Sequence, residues 1–355
     1  MLNRKWTWAI LGVVALIVRL GAYFFPEFTE KIYSRSIFPI LRTIMDQTLA
    51  RLPFPVFYLF LAVILWFLAR YFIQIGKCEG WKGRLLYSAR AISNFAGAIV
   101  FFFLVLWGYN YQRVPFIHQL ELDPQPFEEG QLLQEINVTE EILSTARSAI
   151  TGDSTALGEL IPYGELENLV REEIKRTLSE LGFYHGGFPR TKEFYPEGML
   201  RRLGILGIYF PFTGESYLDP TLHPLEKPFT VAHEMAHSYG ITDEGEANFL
   251  GWLVCSGSDA PLLRYAGNLQ LFRYQLNDLY KVNPEKYREV VQTIERGIVN
   301  DIASIRENSR KIEAISSELS RKSNDLFLKS QGVTAGVRSY SQLPMLAYAW
   351  RQQHR

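Results

Sequence analysis

The sequence predicts a mainly helical chain with a small β-sheet, its first third in a membrane and the remainder a separate α+β domain. Three observations lead there. Three apolar runs fall within the first 110 positions, each about the twenty residues that cross a bilayer as a helix. Beyond them, apolar residues recur at helical spacing, interrupted by one short β-like run from Gly204 to Phe212. One of the later helices carries two histidines four positions apart with a glutamate beside the first, His233, Glu234 and His237.

The membrane-length runs come first. Trp6 to Phe25 is apolar except for Arg19, Pro55 to Gly76 is apolar with Arg70 near its end, and Ala91 to Tyr109 is the densest. Tryptophan and tyrosine at the ends of these runs suit a membrane–water interface. No small-residue cleavage site follows the first run, so it reads as a retained anchor. The loop between the second and third runs holds Lys77, Lys82, Arg84 and Arg90 against one acid, Glu79. By the positive-inside rule that loop faces the cytoplasm, with Arg4 and Lys5, and the C-terminal part lies outside. The first loop works against this, with Lys31, Arg35, Arg42 and Arg51, partly offset by Glu27, Glu30 and Asp46. The division expected is a membrane domain over 1–110, spanning at about 6–25, 55–76 and 91–109, and an extra-cytoplasmic domain over 111–355. Lysines and arginines number 37 and so do the acids, which leaves no electrostatic footing for nucleic acid. The two cysteines, Cys78 and Cys255, fall on opposite sides of the membrane in this topology, so no disulfide joins them.

Next comes a proline-bearing linker from Asn110 to Pro126, then a helix expected to start near Asn137 with Thr139 as its cap. A second helix covers Tyr163 to Leu181, with Leu166, Leu169, Val170, Ile174 and Leu178 on one face. The strand Gly204–Phe212 ends at Pro211-Phe212, and Thr213-Gly214-Glu215 reads as a solvated turn. Helices are expected over Ala247–Leu253, Leu263–Tyr280, Glu285–Ser309 and Leu343–Arg351, with a charged helical stretch at Lys311–Arg321 and a glycine loop at Gly332–Tyr340.

The motif helix, Pro228 to Gly240, carries the chemistry. Residues four apart on a helix share a face, so His233 and His237 present two imidazoles to one metal ion. Glu234 lies about 100° round the helix, beside the metal rather than on it, where a general base takes a proton from metal-activated water. Neutral imidazole suits zinc. Val231, Ala232, Met235 and Ala236 make the helix a buried one, where polar side chains need partners. Gly240 ends it. Three acids follow at once, Asp243, Glu244 and Glu246. The third ligand is expected at Glu244, then Glu246, then Asp243.

Two resemblances rest on these residues. Glu244-Gly245-Glu246-Ala247-Asn248 resembles the E-x-x-[AS]-[DN] helix that carries the glutamate ligand in gluzincin metallopeptidases. In that pattern Asn248 shares the face of Glu244 and orients a ligand histidine. The connection between the two helices is shorter here than in most gluzincins. The resemblance implies a zincin-like, gluzincin-type domain with one zinc per chain and a peptide or protein substrate. An edge strand above the metal helix would pair with extended substrate, which points to Gly207, Ile208 and Tyr209. Tyr340, with Arg338, would be a donor to an oxyanion. The whole set of motifs is similar to a family of uncharacterised bacterial membrane proteins, domain of unknown function 3810. Its P-F-T-G-E, P-F-T-x-x-H-E-x-A-H-x-x-G, E-x-E-A-N-F and G-V-x-S-Y segments stand here at Pro211–Glu215, Pro228–Gly240, Glu244–Phe249 and Gly336–Tyr340. That resemblance implies a multi-pass protein of the bacterial cytoplasmic membrane with the lipid bilayer as partner. The function expected is a membrane-anchored zinc metallopeptidase with Glu234 as general base. The alternative is a non-catalytic metal-binding scaffold or sensor.

Overall fold

The structure, a computed structural model, describes residues 6–312 and 342–354. Among the described residues the chain is mainly helical with one three-stranded sheet, and it divides into two compact units. The first takes Met1–Val114 and, from far along the chain, Phe210–Glu215; the second takes Pro115–Tyr209 and Ser216–Arg355.

The first unit contains α1 (Thr7–Phe24), α2 (Phe38–Thr48), α3 (Phe57–Gly76) and α4 (Gly80–Leu106). Three of them, α1, α3 and α4, are long and apolar enough to cross a membrane. The third run is longer as a helix than as an apolar stretch. Arg84 and Arg90 are good helix formers and extend α4 back to Gly80, whereas hydropathy marks only the part that lipid tolerates. No residue of α3 is buried. Helices α1 and α4 meet through small residues. A Cβ on Gly12 would lie 2.6 Å from the Gly97 Cα, so the backbones touch as they do in membrane helix pairs. Asn94 accepts the Trp8 N–H at 3.0 Å, and Tyr109, in the 3-10 turn that follows α4, donates to the Ala15 carbonyl at 3.0 Å.

The segment Phe210–Glu215 is held within this unit by hydrogen bonds and ring contacts. Arg42, ion-paired with Asp46, donates to the Gly214 carbonyl. Glu215 accepts the Val56 N–H at 2.9 Å. Phe210 and Phe212 pack on Phe60 with ring centroids 5.0 and 5.1 Å away. Glu215 is therefore fully buried rather than a solvated turn acid. Only long-range pairing with Val56, 159 positions upstream, reveals it.

The second unit is built from α5 (Glu129–Ser148), α6 (Tyr163–Glu180), α7 (Lys227–Ser238), α8 (Glu244–Ser256), α9 (Pro261–Val282), α10 (Pro284–Thr293), α11 (Arg296–Arg310) and α12 (Leu343–Gln353). Its sheet runs β1 (Thr191–Glu193), β3 (Glu215–Leu218), β2 (Gly207–Phe210), with β1 and β3 parallel in register Thr191↔Ser216 and β2 at one edge. One apolar core packs α7 and α8 against α6 and α12 through Val170, Ile174, Val231, Met235, Phe249 and Leu346. A second packs α5 against α9 and α11. The helix expected near Asn137 starts at Glu129, where Gln131 accepts the Glu128 N–H at 3.2 Å. Thr139 is mid-helix, its hydroxyl turned back to the Glu135 carbonyl at 2.8 Å. The linker is also more structured than its prolines suggest, because Phe116 is fully buried in the first core. The helix expected over Glu285–Ser309 is two, α10 and α11, parted at Ile294. The charged stretch and glycine loop lie largely outside the described residues.

Candidate metal centre

Helix α7 is buried from Pro228 to Ser238, and its motif points into the protein. The chain leaves it through Gly240, which sits at φ 80°, a conformation glycine adopts without strain. Asp243 then caps α8, its carboxylate accepting the Gly245 and Glu246 N–H groups at 2.8 and 3.0 Å. This short link turns α8 back along α7 and places Glu244, the first residue of α8, at the histidines.

Three donor atoms converge. His233 Nε2 lies 3.2 Å from His237 Nε2 and 3.2 Å from Glu244 Oε2, and His237 Nε2 lies 3.4 Å from that same oxygen. Tetrahedral zinc with ligands at about 2.0–2.1 Å requires ligand atoms about 3.3–3.4 Å apart. The triangle has that size, and two imidazoles with one carboxylate are a zinc donor set, so the residues fit the ion. His237 donates from Nδ1 to the Ile241 carbonyl at 2.7 Å, which leaves Nε2 as the metal-facing lone pair. Burial alone would lower the His237 pKa, but the Glu244 charge and hydrogen bond outweigh it and raise it to about 9. Burial likewise opposes ionisation of Glu244, yet the histidines hold its carboxyl well below the usual range. The three groups thus form a pocket for positive charge.

Glu234 stands beside the triangle. It is 4% exposed, and its Oε2 has no hydrogen-bond partner. Burial raises its pKa, against the pull of the two histidines, toward the range of a general base. Strand β2 presses on it. A Cβ on Gly207 would lie 2.7 Å from Glu234 Oε1, and the Tyr209 N–H donates to the carboxylate. Ser216 on β3 donates to the Glu234 carbonyl at 2.9 Å, tying the helix backbone to the sheet.

The structure therefore brings together His233, His237, Glu244 and Glu234, with Gly207 and Tyr209 against the last. Ile208 points outward at 38% exposure. Of the other two acids considered as third ligand, Asp243 is the helix cap and Glu246 accepts the Ile117 N–H at 3.1 Å. Asn248 is buried and hydrogen-bonded to the Tyr274 hydroxyl, while the His237 ring takes its orientation from Ile241. Tyr340 and Arg338 lie outside the described residues. Two contributors escaped the sequence reading. The Ile241 carbonyl carries no side-chain signal. Tyr274 on α9 is one of nineteen tyrosines, at a spacing no different from a packing residue. Burial raises its pKa, and the Glu244 charge adds to that effect.

A family model described as Protein of unknown function (DUF3810) matches residues 33–348. The chain belongs to the DUF3810 family. The match takes in α2, α3, α4 and all four residues of the candidate centre, while α1 precedes it. No curated protein and no solved structure matches the chain. DUF3810 membership assigns no chemistry, so the chemistry rests on the residues just described.

Proposed function

We propose that this DUF3810 protein is a membrane-anchored zinc metallopeptidase whose second unit is zincin-like. The observation that carries the reading is the triangle of His233, His237 and Glu244 with the unpartnered Oε2 of Glu234 beside it. Zinc, when bound there, supplies a Lewis acid for a substrate carbonyl and lowers the pKa of water toward about 7. His233, His237 and Glu244 would hold the ion. Glu234 would take the water proton at Oε2 and return it to the leaving amine. Its burial favours the uptake, because burial stabilises the protonated carboxyl. The substrate class is a peptide or protein. The bilayer partner rests on α1, α3 and α4, with the cytoplasmic membrane as the location and the second unit outside.

Burial of the whole motif helix favours a second reading, a metal-binding scaffold without turnover. One pair of variants separates the two. The purified full-length protein is expected to hold about one zinc per chain, lost in His237→Ala. Glu234→Gln is expected to keep the zinc and to abolish cleavage of a peptide library that the wild type cuts. Zinc-free wild type overturns both readings. Bound zinc with no cleavage by the wild type leaves the scaffold.

A further inference from the structure

Helix α2, in the stretch between α1 and α3, has its polarity reversed. The stretch is helical from Pro26 to Arg51, with a π-helical segment over Glu30–Ile37 running into α2. The face of α2 turned into its own unit holds Phe38, Met45 and the Arg42–Asp46 ion pair, whose side chains are 1% and 0% exposed. The outward face holds Ile37, Ile40 and Ile44, spaced by three and four, at 45%, 63% and 56% exposure. Phe28 and Ile32 extend the exposed apolar surface at 66% and 40%. A helix in water turns its charges out and its isoleucines in. This one does the opposite, and such a patch on one helix marks a surface made for an apolar partner.

Continuity with the membrane-length helices identifies the partner. Only Phe25 separates α1 from Pro26, and Arg51 is followed within six residues by Phe57 of α3. Both ends of the stretch are therefore tied to helices of bilayer length. The stretch itself holds Glu27, Glu30, Lys31, Arg35, Arg42, Asp46 and Arg51, too many charges to cross the hydrocarbon. We propose that α2 and the π-helical segment lie in the plane of the bilayer interface, with Ile37, Ile40 and Ile44 at the boundary between headgroups and acyl chains. The inference rests on α1, α3 and α4 being membrane spans. An apolar helix face in that position sinks about 5–10 Å into the boundary. On its other side the same helix grips the β2–β3 turn, through Arg42 at the Gly214 carbonyl. The turn is thus fastened to an element that rests on lipid.

The test places a nitroxide at Ile40→Cys or Ile44→Cys in the full chain, reconstituted into nanodiscs, with Cys78→Ser as background and the fully buried Cys255 left in place. Collision with oxygen reports lipid and collision with a water-soluble nickel chelate reports solvent. Ile17→Cys on α1 gives the deep reference and Glu285→Cys the aqueous one. Labels at positions 40 and 44 are expected to show an oxygen-to-nickel ratio several-fold above Glu285→Cys and clearly below Ile17→Cys. A ratio equal to that at Glu285→Cys overturns the inference, and so does one equal to Ile17→Cys. Spin–spin broadening relieved by dilution with unlabelled protein also overturns it, because the stripe then faces a second copy. If Ile17→Cys itself reads as aqueous, the spans fail and the interfacial helix fails with them, a result distinct from failure at positions 40 and 44 alone.

Discussion

At Gly207 a single hydrogen atom decides where the proposed base stands. The strand backbone runs so close to Glu234 that a methyl group there would lie 2.7–2.9 Å from three atoms of its side chain. Gly207→Ala is expected to push the carboxylate aside while leaving His233, His237 and Glu244 in place. Zinc content should stay at the wild-type level and peptide cleavage should fall about 100-fold, the scale of a 1 Å misplacement. Loss of zinc in that variant would show that the strand supports the ligands instead. His223 makes a second single-residue case. Its Nδ1 accepts the Leu225 N–H at 3.2 Å and its Nε2 donates to Ser304 Oγ at 2.9 Å, so the ring is neutral. Burial holds its pKa below the ordinary 6.5. In the unfolded chain the ring takes up a proton near 6.5, but in the folded chain only at lower pH. Its contribution is therefore complete above about pH 6.5 and is lost as pH falls toward the folded value. Thermal stability should drop from pH 7.5 to 5.5. In His223→Asn, about 1–3 kcal/mol less stable at pH 7.5, the gap to wild type should narrow over that interval. A constant gap would mean that folding does not shift the pKa of the ring.

Among the elements, the start of α8 sets the proposed metal centre. Glu244 is its first residue, and its carboxylate is placed by a helix end that Asp243 caps. Removing a cap costs about 1 kcal/mol, and here that cost falls on the turn that delivers a ligand. Asp243→Ala is expected to weaken zinc binding about tenfold, and Asp243→Asn, which still accepts from Gly245 and Glu246, to restore it. Equal affinity in all three proteins would mean that the ligand holds its place without the cap. The same region shows how far local signals reach. His233, Glu234, His237 and Gly240 are legible because helix periodicity and a left-handed glycine are local properties. Which of three neighbouring acids faces the histidines is not, since capping, pinning of Ile117 and ligation are equally open to Asp243, Glu244 and Glu246 until the fold assigns them. Strand β3 was illegible for a similar reason. Four residues from Glu215 to Leu218, all buried, show no alternation to separate them from a turn. The start of α5 was missed because Glu128 and Gln131 cap it with weaker cap formers than the Thr139 that drew the reading downstream.

Across the whole molecule the sequence reading divided the chain once, near position 110, and the structure divides it at Val114 and then returns Phe210–Glu215 to the first unit. Composition detects the first boundary because three apolar helices end there. It cannot detect the second, because Phe210 and Phe212 find Phe57 and Phe60 only through the fold. The proposed topology has a direct readout in the two native cysteines, which differ in reactivity for a physical reason. Cys255 is fully buried, and burial pushes its thiol pKa up, so it stays protonated and unreactive. Cys78, partly exposed in the link between α3 and α4, is then the reporter of that link. In the proposed topology its neighbours Lys77, Lys82, Arg84 and Arg90 put it on the cytoplasmic side by the positive-inside rule. In intact cells a membrane-impermeant maleimide is expected to leave Cys78 unmodified and to modify it after permeabilisation. Glu285→Cys, on an exposed position of α10, should be modified in both conditions. Reversed labelling would put the proposed metal centre in the cytoplasm and turn the search for a substrate from exported peptides to cytoplasmic ones.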